Sequence, residues 1–235
     1  MFFVPAPTTM LGGGTIITTR HRMKIITTGD GSNTLEHDTI GELYHSDRGA
    51  VGESLHVFIG NGLLASDRKA ITVFEVGFGT GLNCLLSLEA AQRHNLAISY
   101  HAIELYPITA ETAKELNYTT DERFIELHTT PWGEQQWITP FFSLTKHRCS
   151  LTEFDFSPFR EHFDVIYHDA FAPDIQPEMW SEAVFKSLYQ ASAPNAIITT
   201  YTAKGDVRRA MSSAGYRVEK LAGALGKRHQ LRGVK

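Results

Sequence analysis

The chain has 235 residues, 42% of them hydrophobic, with a formal net charge of −4, enough to bury one α/β core of ordinary size with short additions. No apolar run approaches the roughly 18 residues that a membrane helix needs, and the start lacks the build of a secretory signal, so a cytoplasmic protein without membrane contact is expected. Cys84 and Cys149 are too few for a disulfide framework or a zinc site, and the eleven histidines are scattered without an i,i+4 pair, so no metal is expected.

Residues 1–22, with Pro5, Pro7 and the run Gly12-Gly13-Gly14 ahead of a second methionine, Met23, read as a disordered leader. Residues 23–66 alternate short apolar pieces with turn signals, Gly29-Asp30-Gly31-Ser32-Asn33 and Asp47-Arg48-Gly49, and read as an N-terminal extension or cap. The main domain, 67–235, then alternates strand 71–76, helix 82–94, strand 97–103, helix 107–117, a looser region to about 152, strand 163–168, helix 178–191, strand 195–201 and helix 206–214. That alternation is the pattern of a doubly wound, mainly parallel sheet. Residues 216–221 and 230–234 close it as an antiparallel pair across Gly223-Ala224-Leu225-Gly226. Such a sheet binds its ligand at the carboxyl ends of its strands, where the strand order reverses.

The first such end is the most informative. Val73-Phe74-Glu75-Val76 runs into Gly77-Phe78-Gly79-Thr80-Gly81-Leu82-Asn83 and a helix. Glycines there allow backbone angles that other residues avoid and let the main chain approach a ligand closely. A dinucleotide fingerprint would need glycine at 82 or 84, where Leu82 and Cys84 stand, so the alternating glycines suit S-adenosyl-L-methionine better. One strand later, about 20 residues on, Glu104 is placed to accept both ribose hydroxyls. Glu75 is costly to bury at a core strand end without donors, which a cofactor amine or loop amides would supply. The alternative is a tight turn with two strand-end carboxylates.

A second constellation follows strand 163–168. In Asp169-Ala170-Phe171-Ala172-Pro173, with Pro177 and Trp180 beyond it, an acid, an aromatic ring and a proline shape a pocket lip. In amino-group methyltransferases this position holds the acceptor nitrogen. Methyl transfer from a sulfonium is a direct displacement that needs an in-line, uncharged nucleophile, so the acid orients an amine and can take its proton. Asp169 is the candidate catalytic residue; the alternative is that it caps the turn while Phe171 and Trp180 are core. Charge is divided unevenly. From Lys204 to the end, nine bases stand against two acids, +7 against −11 in the rest, as expected if one face meets phosphate.

These motifs, with Thr200-Tyr201-Thr202-Ala203-Lys204-Gly205, Val207-Arg208-Arg209, Gly226-Lys227-Arg228 and the upstream Tyr44-His45-Ser46, Glu53-Ser54 and 56–59, resemble the methyltransferase domain of the MnmC family, bacterial enzymes that modify the tRNA wobble uridine. The resemblance spans roughly 24–235. It implies a Rossmann-like class I S-adenosylmethionine-dependent fold with a seven-stranded, mainly parallel sheet and a closing antiparallel strand. It implies N-methylation of the 5-aminomethyl group of 2-thiouridine at the tRNA wobble position, giving 5-methylaminomethyl-2-thiouridine. The cofactor set would be Glu75, Gly77, Phe78, Gly79, Gly81, Asn83 and Glu104, with Ser150 at the adenine end. There the family usually has Gly-Asp and this chain has Cys149-Ser150. Tyr44, Phe171 and Pro173 would receive the base, with Phe78 a further ring for gripping it, and Lys204, Arg208, Lys227 and Arg228 the phosphates. Bifunctional members continue into an FAD-dependent oxidoreductase, so a chain ending at Lys235 is expected to act alone, without FAD. Two rival readings are a small-molecule amine methyltransferase with a fortuitously basic tail, and a non-catalytic tRNA-binding module of the same fold.

Overall fold

The computed structural model describes residues 23–37 and 41–235; the leader expected over 1–22 lies outside the described residues. The extension opens with a two-stranded antiparallel hairpin, β1 (Lys24–Thr27) and β2 (Asn33–Glu36), turned at Gly31 with φ 82°. A short helix, α1 (Ala50–Ser54), runs on into a π-wound turn, Leu55–Gly60.

The main sheet begins with β3 (Ala70–Val76), followed by α2 (Leu82–His94), β4 (Ala97–Ile103), α3 (Ala110–Lys114), α4 (Arg123–Thr129), β5 (Gln135–Thr139) and β6 (Phe142–His147). Beyond these come β7 (Phe163–His168), α5 (Glu182–Ala191), β8 (Ser192–Thr200), α6 (Gly205–Ala214), β9 (Arg217–Ala222) and β10 (His229–Val234). The spatial order is β5-β6-β4-β3-β7-β8-β10-β9, so the chain builds outward from β3 on one side and then crosses to β7 on the other. The sheet therefore reverses its order between β3 and β7, where such folds bind ligands.

Register brings the chemistry together. Val76 stands opposite Ile103 on β4 and His168 on β7, and Ile103 stands opposite His147 on β6. Three carboxyl ends are thus level, and the residues that follow them, Gly77, Glu104 and Asp169, emerge at one edge. Backbone bonds cross this edge: Gly77 and Phe78 amides donate to Ile103 O at 3.1 Å, and the Asp169 amide donates to Val76 O at 3.1 Å.

Two apolar layers cover the sheet. On one face α2 and α4 pack with Tyr100, Phe142 and Tyr167, and Leu35, Phe58 and Leu63 of the extension share that core. On the other, Phe185, Leu188, Val207 and Met211 of α5 and α6 meet Phe74 and Phe163. Burying each such side chain contributes about 1.5–3 kcal/mol.

The structure departs from the sequence reading in three places. The sheet has eight strands rather than seven, because the looser region before 152 contains the antiparallel β5 paired with β6. Strand β6, Phe-Ser-Leu-Thr-Lys-His, is buried through Lys146 despite three polar residues, which hides it from a hydrophobic pattern. Helix 107–117 is instead only the five-residue α3, and α4 is a separate helix in the looser region. Thr109 starts α3 by accepting the Thr112 amide at 3.2 Å, and Asn117, past its end, bonds the extension, accepting the Asn33 amide at 2.6 Å and donating to Gly31 O at 2.9 Å. Helix 178–191 begins only at Glu182, capped by Ser181, whose hydroxyl accepts the Val184 amide; Pro177–Trp180 forms a separate 3-10 turn.

Candidate functional site

The glycine turn leaves β3 with all three glycines in left-handed backbone, φ 86° at Gly77, 51° at Gly79 and 75° at Gly81. Space is as decisive as angle. A Cβ at Gly77 would lie 2.7 Å from the Asp169 carbonyl oxygen, one at Gly79 3.1 Å from the Tyr44 ring, and one at Gly81 2.8 Å from His128 Nε2. Gly81 then caps α2, whose first turn is aimed into the cavity. Glu104 holds the turn from the neighbouring strand: Oε2 accepts the Gly79 amide at 3.0 Å and Oε1 the Tyr106 amide at 2.8 Å. Burial pushes its carboxyl pKa up, against the pull of those amides.

A cavity of about 1230 Å³ opens over this turn, lined along its length by Gly77, Gly79, Glu104, Ser150, Asp169 and Phe171. Asp169 stands in its lining, with a second acid, Glu75, buried behind it. Glu75 is 1% exposed, its Oε2 finds no hydrogen-bond donor among the described residues, and burial followed by the nearby Asp169 pushes its pKa well up. The Asn83 side-chain amide donates to Asp169 Oδ2 at 2.8 Å while its own Oδ1 is buried without a partner. Asp169 is pushed up to about 7 chiefly by burial, with Glu53 raising it and the Asn83 bond and Lys227 opposing. A carboxyl group with that pKa exchanges a proton near neutrality, as a general base for an ammonium should.

At the Asp169 end, Tyr44 and Phe171 meet edge to face with centroids 5.2 Å apart. Tyr201 donates its hydroxyl to Ala170 O at 2.9 Å and carries Lys227 Nζ 5.5 Å above its ring. Lys227 is ion-paired with Glu53.

Residues 143–235 match a family described as S-adenosyl-L-methionine-dependent methyltransferase. The tRNA 5-methylaminomethyl-2-thiouridine biosynthesis bifunctional protein MnmC of Burkholderia thailandensis is 32% identical over 210 residues, which is 82% of this chain and 32% of that protein. The MnmC of Burkholderia mallei SAVP1 is 34% identical over 217 residues, with the same two shares. The crystal structure of MnmC2 from Aquifex aeolicus superposes with a TM-score of 0.71 at 27% identity, covering 92% of this chain and 71% of that one. This chain is similar to the MnmC proteins over 82% of its length and carries an S-adenosyl-L-methionine-dependent methyltransferase match over residues 143–235. It spans about a third of the length of the curated relatives it matches. Spermidine synthase from Thermotoga maritima, with a TM-score of 0.52 at 13% identity, shares the fold.

The cavity of the methyltransferase fits S-adenosyl-L-methionine. The glycine cradle is filled by any added Cβ, Glu104 retains lone pairs for hydroxyl donors after its two amide bonds, and the buried Oδ1 of Asn83, a residue of the cavity lining, has no donor among the described residues. When bound, the cofactor supplies an electrophilic sulfonium methyl group.

Of the residues singled out from sequence, Tyr44, Gly77, Phe78, Gly79, Asn83, Glu104, Ser150, Asp169, Phe171 and Lys227 line this one cavity. Gly81 and Glu75 stand just behind its wall, Glu75 walled off at 1% exposure rather than facing the cavity. Phe78 cannot grip a base: it is 3% exposed, with His128 at 5.3 Å and Trp132 at 6.5 Å around its ring. Ser150 uses its hydroxyl on Thr152, accepting that residue's amide at 3.3 Å. Pro173, Lys204, Arg208 and Arg228 lie outside the cavity. Lys204 is exposed and paired with Asp174, while Arg208 and Arg228 are exposed with no acid in ion-pair range among the described residues. Lys227, grouped with them as a phosphate contact, is turned inward to Glu53 instead. The sequence reading assigned no role to Glu53, Tyr201 or His45. His45 bonds Thr80 Oγ1 through Nε2 at 2.7 Å, tying the extension to the glycine turn. His45 and Glu53 stand at no recognisable strand end, while Tyr201 closes the strand expected over 195–201, where its position was visible but not its partner Ala170.

Proposed function

We propose that the methyltransferase transfers a methyl group to the 5-aminomethyl nitrogen of 2-thiouridine at the wobble position of tRNA, giving 5-methylaminomethyl-2-thiouridine. The observation that carries this reading is Asp169, held by Asn83 at the floor of the cavity beside the Tyr44–Phe171 pair, with a pKa near 7. An aminomethyl group arrives as an ammonium; Asp169 accepts one of its protons and keeps the freed nitrogen oriented. The uncharged amine so oriented would take up the methyl group that the bound cofactor supplies, its lone pair forming the N–C bond as the sulfonium departs as a neutral thioether. The secondary ammonium so formed sheds its second proton on release.

A wobble base is unpaired and can be turned out of the anticodon loop, and aromatic side chains commonly stack on such bases; Tyr44 and Phe171 supply that surface. Exposed Arg208 and Arg228 would track the phosphates. Gly77, Gly79, Asn83, Glu104 and Ser150 would hold the cofactor, with Gly81 and Glu75 shaping the turn from behind the wall. In this reading residues 23–66 are a cap on the domain 67–235, and the protein works in the cytoplasm. Internal pairing of much of the basic tail, as in Lys204–Asp174 and Arg209–Asp206, favours a second reading, methylation of a small-molecule amine.

The test is methyl incorporation from labelled S-adenosyl-L-methionine into tRNA from cells that lack wobble-uridine methylation, followed by nucleoside mass analysis. Conversion of the 5-aminomethyl nucleoside to its 5-methylaminomethyl form is expected. Incorporation that survives nuclease digestion of the substrate would favour the small-molecule reading, and none in either case would sink both.

A further inference from the structure

Glu53 and Lys227 are 174 positions apart, yet both face the cavity beside Asp169. Glu53, on α1, is 7% exposed; its Oε1 pairs with Lys227 Nζ and its Oε2 accepts the Ser46 amide at 3.2 Å. The β9–β10 loop that brings Lys227 is clamped from outside by the extension. Arg48 Nη1 donates to Leu225 O at 3.2 Å, and His56 Nε2 lies 2.9 Å from Ala222 O. Across the cavity, the Tyr201 ring under the Lys227 ammonium is itself fixed to Ala170, the residue after Asp169.

The charges around Asp169 come from every element packed there: Glu53 on α1, Glu75 on β3 and Lys227 on the β9–β10 loop. Asn83 of α2 supplies the hydrogen bond, and Tyr201, which also feels Glu53 and Glu42, closes the ring. A lysine at this end is a hazard for an amine methyltransferase. Its ammonium has the same chemistry as the arriving substrate and competes for the same carboxylate. Lys227 is 33% exposed, and among the described residues Glu53 is its ion-pair partner while Asp169 feels its charge.

Building on the amine-acceptor reading, we infer that Glu53 is a positioning residue. By holding Lys227 in an ion pair over Tyr201, it keeps Asp169 open to the substrate ammonium. Removing the Glu53 charge releases Lys227 to occupy Asp169 in the substrate's stead; removing Lys227 as well should undo the damage.

The experiment compares the wild type with Glu53→Gln, Lys227→Met and the double variant. Steady-state methyl transfer to the aminomethyl tRNA is measured against pH, and Asp169 is titrated by NMR of carboxyl-labelled aspartate, assigned with Asp169→Asn. Glu53→Gln should raise the KM for tRNA about tenfold, with kcat less affected, as expected for competition by one charged contact. It should also lower the Asp169 midpoint. Lys227→Met should raise the midpoint, and the double variant should recover most of the KM and the midpoint. A double variant no better than Glu53→Gln, or an Asp169 midpoint indifferent to both changes, overturns the inference. If Glu53→Gln fails to fold, Lys227→Met decides by its midpoint alone: unchanged or lowered counts against. Because the titration needs no substrate, a wild type that methylates no tRNA removes the proposed function, while the Asp169 midpoints still decide for or against this coupling.

Discussion

Asp169 concentrates the chemistry because its surroundings both strip it of water and leave it one polar partner. Its pKa of about 7 stands above the ordinary 3.8. Between those values the folded state holds a proton that the unfolded chain has lost, so stability falls as pH rises through that window. Asp169→Asn keeps an acceptor for Asn83 and removes the ionisation. In the cofactor-free protein, thermal denaturation should find the variant more stable by on the order of 2 kcal/mol at about pH 8, after allowance for solvent at the cavity, and little changed near pH 4. Roles at the two ends of the cavity should separate cleanly. Asp169→Ala is expected to slow methyl transfer at least about 100-fold with cofactor affinity retained. Glu104→Ala, which removes the acceptor for the Gly79 and Tyr106 amides, should weaken cofactor binding about tenfold or more by calorimetry. Equal loss of cofactor affinity in both variants would contradict the division. Gly77→Ala forces a Cβ to 2.7 Å from the Asp169 carbonyl at φ 86°. It should cost about 1–3 kcal/mol of stability in denaturant unfolding and shift the cradle together with the acid.

At the scale of elements, Lys146 on β6 links the sheet to the far end of α4. Its Nζ donates to Leu127 O and His128 O, both at 2.8 Å, and lies 4.7 Å over Trp132 and 5.5 Å over Phe78. The ammonium thus serves as the C-terminal cap of α4 and steadies the wall behind the glycine turn. Burial lowers its pKa to about 8 from 10.5, so over that range the unfolded chain binds more protons and stability should rise with pH. Lys146→Met strands two carbonyls and should destabilise by about 2 kcal/mol near neutrality in urea titrations, and it should lose the alkaline rise. These contacts also explain why β6 is illegible in the sequence: its buried Lys146 is satisfied by carbonyls of α4 and its buried Ser143 by Gln135 of the neighbouring strand. The helix expected over 107–117 stops at Lys114 for a related reason, since Asn117 spends its side chain on the extension's hairpin rather than on a helix.

Across the whole molecule, the charge asymmetry is partly spent inside. Of the nine bases from Lys204 onward, Lys204, Arg209, Lys227, Arg232 and Lys235 are paired with acids. Arg208, Arg217, Lys220 and Arg228 are exposed with no acid in ion-pair range among the described residues. Phosphate binding, where it occurs, should fall to these four. Arg208→Ala combined with Arg228→Ala should weaken tRNA binding and flatten the slope of log affinity against log salt by about one for each arginine removed. Affinity unchanged across salt would take this surface out of the interaction. Among the described residues no helix is long and apolar enough to cross a membrane.

Residues that are local in the chain were readable by themselves. The glycine turn, the strands on either side of it, Glu104 and Asp169 sit at strand ends, and strand ends are visible because apolar runs must be buried and must stop. Helix 82–94 and strand 97–103 coincide with α2 and β4 for that reason. What sequence could not supply is which distant segments meet at that edge. The in-register pairing of Val76 with Ile103 and His168, the burial of Phe78, the inward turn of Lys227 to Glu53 and the eighth strand all follow from tertiary pairing, much of it between segments far apart in the chain. Local periodicity records whether a side chain is buried; only the assembled sheet decides what it is buried against.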